Sequence, residues 1–435
     1  MLVRSAFVMP LAVVATVCLV SGCGGDKAAR TGGAKSKSKA EPVADDDAAS
    51  VTALEEAGFT LTKNTAGNVE AVSVGSESDI AEFLPKLSGL PGIKKIRVTG
   101  TGITDRGWEV LEKLQRLERL DFTDSPIGDE TMKTVGKLPR LQALFIRRTS
   151  VTDSGLAYLT DLKKLRAIDL RNSIISDEGC THLAKIKSLA DIQLEKSKVT
   201  DTGVAKLKGL PLKSFNVNFQ PAVTDASMEV LGSIPTMLYL QMDYAVITDA
   251  GMEHVAKMTK LKRLRMGNAD VTGEGIAKLS GLKTLTRLEL RGTSLDDAGL
   301  KVICALPNVE YLDISECRRL TPVGIAEVKA LTKLTYLNLW ETKADDAAFN
   351  QFGELSGLKS LSLASTEVTD ESLATLLKMQ NIESLDINGV LFSEEAINDI
   401  VAKLPKLKSL NALNTNINYD LGDELDERED FNITY

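Results

Sequence analysis

Residues 141–164 read LQALFIRRTSVTDSGLAYLTDLKK, and two hydrophobic periods are folded into this one stretch. Its apolar positions are Leu141, Leu144, Ile146, Val151, Leu156, Leu159 and Leu162. Leu144 and Ile146 stand two apart, the spacing of side chains on one face of a strand. Leu156, Leu159 and Leu162 step by three, as one face of a helix requires. The stretch therefore reads as strand, loop and helix.

The same pattern returns immediately with Leu165, Ile168, Leu170, Ile175, Cys180, Leu183 and Ile186. It returns again with Leu189, Ile192, Leu194, Val199, Val204, Leu207 and Leu210, and far along the chain with Leu285, Leu288, Leu290, Leu295, Leu300, Ile303 and Leu306. Units begin at 69, 93, 117, 141, 165, 189, 212, 237, 261, 285, 309, 334, 358, 382 and 407, fifteen in all and mostly 24 residues long. One unit has a single apolar face and cannot bury it alone. Neighbours must stack, strand beside parallel strand and helix beside helix, into a solenoid. With strands ~4.8 Å apart, fifteen units give a concave sheet on the order of 70 Å long.

The spacing LxxLxLxxTxVTDxGLxxLxxL resembles the leucine-rich repeat family, in its cysteine-containing kind, where Cys, Thr or Ser replaces the usual asparagine after the strand. That offset holds Thr101, Ser125, Thr149, Ser173, Ser197, Thr293, Cys317, Thr342, Thr366 and Thr415. The resemblance covers about four fifths of the chain. It implies an α/β horseshoe, with a parallel concave sheet and convex helices, and a role in binding, usually of protein.

Composition adds bounds. A chain of 435 residues would ordinarily make two or three domains, but the repeat implies one elongated core. A net charge of −8 argues against general nucleic-acid binding. Residues 1–22 read as a signal peptide, with Arg4 ahead of an apolar run from Ala6 to Val20. The run is short of the ~20 residues a membrane span needs. Val20-Ser21-Gly22-Cys23 resembles the lipobox of bacterial lipoproteins, which makes Cys23 the expected lipidated residue and anchors the protein to a membrane. A plain signal peptide with a chance cysteine, or an uncleaved anchor, is the blander alternative.

Residues 23–50 carry almost nothing large and apolar and read as a disordered tether. Residues 51–92 read as an N-terminal cap with a first irregular repeat, 93–419 as the solenoid, and 420–435 as an acidic tail, solvated by default.

Within the units, Thr152-Asp153, Ser176-Asp177, Thr200-Asp201, Thr248-Asp249 and Thr369-Asp370 read as helix N-caps, with the carboxylate suited to the positive end of the helix dipole. Two residues on stand Gly107, Gly155, Gly179, Gly203, Gly251, Gly275 and Gly299, replaced elsewhere by Thr131, Ser227, Ala348, Ser372 and Ala396. Free exchange of glycine with other small residues points to close helix approach and not to a need for positive φ.

Nothing marks catalysis. Cys180 and Cys317 sit at core offsets, a disulfide between Cys304 and Cys317 is not expected, and His182 and His254 lack partners for a metal or a reaction. No phosphate loop, nucleophile elbow or zinc spacing occurs, so no cofactor is expected. Trp108 occupies a core offset.

Variation concentrates at offsets 2, 4 and 6, which should face the concave solvent. The chain is only 5% aromatic, yet Tyr239, Tyr311, Tyr336 and Trp340 fall there, among Arg263, Arg265, Arg287, Arg291 and Asp313. Tyrosine, tryptophan and arginine dominate binding hot spots, so these nine are the candidate ligand-binding residues, for a protein partner or a surface polymer. Two rivals stand beside this reading. One is an F-box-like substrate adaptor for ubiquitin ligation, disfavoured by the linker-and-cap character of residues 24–68. The other is a cell-wall-polymer hydrolase using carboxylates such as Asp169 and Asp191, for which the sequence marks no raised pKa.

Overall fold

A computed structural model describes residues 44–426 and 430–435. The signal peptide, the lipidation site Cys23 and most of the tether lie outside the described residues.

Each of the fifteen units supplies one strand, three residues long in most and, after the first unit's Val69–Gly75, beginning two residues after the leading apolar residue. In the unit from 141 this is Ala143–Phe145, whose central Leu144 pairs in register with Leu120 on one side and Ile168 on the other. Strands pair in chain order and parallel throughout the repeats, because each helical return brings the chain back to the same end of the next strand. In that unit Leu141, Leu144, Ile146, Leu156 and Leu159 are all 0% exposed. Removing a leucine side chain of this kind from water contributes about 1.5–3 kcal/mol. One continuous core runs from Leu54 to Ile433.

After the strand of every unit from 93 onward the chain turns through a left-handed residue. Non-glycine residues fill this position in eleven units, among them Arg148, Asn172, Lys196, Phe219 and Tyr244, with φ between 52° and 58° in these five. The strain is sustained because the turn points each N–H at the next unit: Asn172 donates to the Glu195 carbonyl at 2.8 Å and Phe219 to that of Asp243 at 2.7 Å.

The Thr/Ser-Asp pairs divide two tasks. The hydroxyl caps its own helix, as Thr152 accepts from the Ser154 N–H at 3.2 Å. The aspartate serves the following unit: Asp153 accepts from the Ser176 N–H at 2.9 Å and its hydroxyl at 2.6 Å, and Asp177 from Thr200 in the same two ways at 2.8 and 2.7 Å. Asp129, Asp201, Asp225, Asp249, Asp297 and Asp346 repeat the bridge. This carboxylate seam, rather than helix backbone alone, explains the small residues beside it. A Cβ at Gly155, Gly179, Gly203, Gly251 or Gly275 would collide with the preceding unit's carboxylate, while Ser227 and Ser372 donate their hydroxyls to it. Gly107 departs from the expectation, since it takes φ 84° ahead of a 3-10 turn.

Two units break the seam in the same manner. Where the capping residue is itself an aspartate, at Asp296 and Asp345, the preceding unit has no aspartate: Gly273 and Pro322 stand there. A carboxylate at either place would meet another with no hydrogen between them.

Both ends are covered. Helix Ala48–Glu56 is capped by Asp47, and Asp46 accepts from the Val69 N–H at 2.6 Å, so residues 44–50 belong to the cap rather than to the tether. Strand Thr60–Lys63 closes the first sheet edge by pairing antiparallel with Val69–Gly75. The acidic C-terminus also differs from a solvated tail. Helix Tyr419–Asp426 is followed by strand Asn432–Thr434, which extends the sheet in parallel, with Leu425, Phe431 and Ile433 buried. It covers the last strand edge, which open sheets otherwise leave exposed to pairing with other chains. Residues 427–429 lie outside the description.

Candidate functional site: the concave sheet

In-register parallel strands stack equivalent side chains into rows, each ~4.8 Å from the next. The offset-2 row reads Tyr239, Arg263, Arg287, Tyr311, Tyr336, Ser360, Ser384 and Ser409 in successive units. Arg287 lies over the Tyr311 ring at 3.7 Å, and Tyr311 stacks on Tyr336 with centroids 3.8 Å apart and planes 2° from parallel. The column ends at Tyr336. Two rows across, Arg291 lies 4.7 Å over the Trp340 ring. Tyr239 is half-buried at the other end of the patch.

The arginines are committed to neighbours. Glu289, 8% exposed, accepts from Arg287 Nε at 2.6 Å and Arg263 Nε at 2.8 Å, with Arg265 Nε 3.8 Å away. Arg265 also pairs with Asp243, which accepts the Gly267 N–H at 2.7 Å. Arg291 pairs with Glu316 at 2.6 Å. Burial pushes the Glu289 carboxyl up, but the bond from Arg287 and the charges of Arg263 and Arg287 outweigh it, and it stays below the ordinary value. Asp243 and Asp313 are raised, burial being the main cause in both. Asp313 accepts from the Ser315 N–H at 3.1 Å and hydroxyl at 2.6 Å.

The expectation that offsets 4 and 6 face solvent freely is therefore corrected. Asp121, Asp169, Asn216, Asp243 and Glu289 are buried, because long side chains of one row lie across the short ones of the next. Among the candidate arginines Arg291 reaches solvent furthest, its side chain 46% exposed against 37% for Arg287 and 23% for Arg263, while Trp340 is half-buried and, nearer the first units, Lys95 and Arg97 are exposed.

Asp169 and Asp191 lie in adjacent units. Asp169 forms a two-bond fork with Arg171, at 2.9 and 2.6 Å. Asp191 differs from the sequence reading, since burial raises its carboxyl. The thiols are buried, and burial pushes Cys180 and Cys304 up to about 12 and Cys317 to about 11. Among the described residues no group of three or more His, Cys, Asp or Glu could hold a metal, and His182 sits 3.8 Å from Glu178 on its own helix. No helix among them is long and apolar enough to cross a membrane. Trp108 is core, 1% exposed and edge-on to Phe122.

The sequence reading missed one aromatic pair. Phe219 and Tyr244 occupy successive left-handed turns and stack at 4.7 Å, with Lys196 4.7 Å over the Phe219 ring. The signal was their common offset, seven residues into each unit.

Residues 212–420 match a family described as leucine-rich repeat region. No curated protein matches the chain. Among solved structures, the yeast Rad7–Elc1 complex aligns at 16% identity over 76% of this chain and 84% of that one, with a TM-score of 0.51. An internalin of Listeria monocytogenes aligns at 22% identity over 84% and 94%, with a TM-score of 0.47. A leucine-rich repeat protein of Leptospira interrogans aligns at 16% over 84% and 90%, with a TM-score of 0.45. With its stacked strand-and-helix units, its open parallel sheet and this family match, the fold is that of a leucine-rich repeat solenoid.

Proposed function

We propose that the chain is a non-catalytic binding scaffold of a bacterial cell envelope, exported by residues 1–22 and held to a membrane through a lipidated Cys23. The concave sheet is its recognition surface, and it engages a protein or a surface polymer. The observation that carries this reading is the aromatic–arginine column on an inner face where Asp169, Asp243 and Glu289 are each paired with arginines. Rings already held in a stack lose little freedom when they are covered, which is what a hot spot needs. The yeast structure that shares the fold is a complex of two proteins, Rad7 and Elc1. An adaptor built on an F-box-like bundle fits less well, because residues 44–75 fold as a cap against the first repeat.

Two measurements test it. Full-length protein and a Tyr311→Ala, Tyr336→Ala, Trp340→Ala variant are used as baits on envelope extracts. Loss of the captured species from the variant supports the concave face, and equal capture contradicts it. Cys23→Ala should move the protein from the membrane fraction to the soluble one and remove the mass of the acyl groups. Unchanged fractionation and mass would rule out the anchor.

A further inference from the structure

The concave surface contains a step. From the unit from 237 to the unit from 334 the offset-2 row is built of long side chains, Tyr239 to Tyr336, and the offset-6 row of that last unit holds Trp340. From the unit from 358 onward the offset-2 row is small, with Ser360, Ser384 and Ser409 following in one register, while the offset-6 row drops from Trp340 to Ala364 and Asn388 before Leu413 in the last unit. One face of Tyr336 is covered by Tyr311, and one face of Trp340 by Arg291. Their other faces turn toward a floor too low to cover them. The next rung of the column, ~4.8 Å along, has no ring in it.

The floor has a distinct chemistry. Between the rows, Ser362 donates to Asp386 at 3.0 Å, and Asp386 in turn accepts from the Asn388 N–H at 3.2 Å, so this middle row is knitted flat. The hydroxyls of Ser360, Ser384 and Ser409 have no hydrogen-bond partner among the described residues, although all three are half-buried. They stand as three evenly spaced groups that both donate and accept. No lysine or arginine lies on these rows from Ser360 to Asn411, and the single carboxylate is already engaged.

We propose that this step is a subsite for a neutral carbohydrate chain, with one sugar ring stacked as the missing rung on Tyr336 beside Trp340 and the following sugars laid along the Ser360–Ser384–Ser409 hydroxyls. A pyranose offers a flat, weakly polar C–H face to an aromatic ring and a rim of hydroxyls that pair with short neutral side chains. An acidic polymer would find no cation on this floor, and a basic one only a carboxylate that is already bonded. A peptide strand would lack the equally spaced hydroxyl rim the serine row matches. The proposal rests on the concave-face reading and names its ligand class.

The test exploits the tryptophans. Only two are present, and Trp108 is 1% exposed, so ligand-dependent emission reports Trp340. The full chain is titrated with neutral oligosaccharides of glucose, mannose, galactose and N-acetylglucosamine, and with an acidic polyuronate. The expected result is saturable emission change with at least one neutral series and none with the polyuronate. Tyr336→Ala should weaken that binding about tenfold or more, Tyr336→Phe should preserve it, and Ser360→Phe, which fills the missing rung without adding a tryptophan, should abolish it with the fold intact by circular dichroism. Binding of no neutral series, or binding unchanged in both Tyr336→Ala and Ser360→Phe, overturns the proposal. If that happens while the triple variant above still loses its captured partner, the concave-face reading survives and only the carbohydrate assignment falls.

Discussion

Aspartate does two different jobs on the two sides of this solenoid. Along the outer seam, Asp129, Asp153, Asp177, Asp201, Asp225 and Asp249 recur at one offset, and each spends both oxygens on the next unit's Thr or Ser. On the concave sheet the carboxylates Asp169, Asp243, Glu289 and Asp313 appear irregularly, the first three paired with arginines and Asp313 accepting from the N–H and hydroxyl of Ser315. A row that repeats is used to hold units at a fixed rise. A row that varies is available for something that differs from one protein to another. The difference predicts where substitution should damage folding and where it should damage recognition.

The sharpest contrast is between core and shelf. Leu288→Ala, at a 0% exposed strand position, should destabilise by about 2–5 kcal/mol in urea unfolding, since it leaves a cavity between tightly packed units. Ser384→Ala, one strand row away from the same core, should stay within about 0.5 kcal/mol of the parent. Equal effects would erase the distinction drawn here.

The gaps in the seam give the next largest effect. Gly273→Asp places a carboxylate against Asp296 and should destabilise; adding Asp296→Thr restores the usual acceptor–donor pair and should recover stability. The double-mutant cycle should show a favourable coupling of about 0.5–3 kcal/mol. A coupling of zero would mean that the paired exceptions at 273/296 and 322/345 are unrelated.

Removing one seam carboxylate is expected to cost less. Asp177→Ala strips two hydrogen bonds from Thr200 and should destabilise by about 1–3 kcal/mol, with no change in the aromatic column.

The smallest effect is on pH dependence. The Glu289 carboxyl is held below its ordinary value in the folded state, so its contribution to stability is fully present above the unfolded value of 4.5. It is lost as pH falls through the lower folded value. Glu289→Gln should therefore flatten the stability profile below pH 4.5 relative to the parent. An unchanged slope in that range would show that the arginine cluster is not holding a charged glutamate.

Much of this organisation could be read directly from the chain. Repeating offsets such as Leu141, Leu144 and Ile146 determine strand register, because a one-residue slip would turn every leucine to water. The bridging role of Asp153 could not be seen within a single unit, since its partner Ser176 lies 23 residues on. Capping explained each aspartate locally and hid the longer connection. The alternation of Phe431 and Ile433 did announce a strand, but seven acidic residues between Asp420 and Asp430 drew attention to charge instead of period. On the concave face the residue types were legible and their pairings were not. Nothing local says that Glu289 collects Arg263 and Arg287, because that depends on which rows the sheet brings together.

Hydrogen exchange of the full chain, with and without a species recovered by the bait experiment, tests the central claim most directly. Slowed exchange confined to the strands and turns from Arg263 to Asn411, with helices such as Asp177–Leu183 and Asp297–Cys304 unchanged, is the predicted result. Protection centred on those convex helices, with the strand segments unaffected, would contradict it.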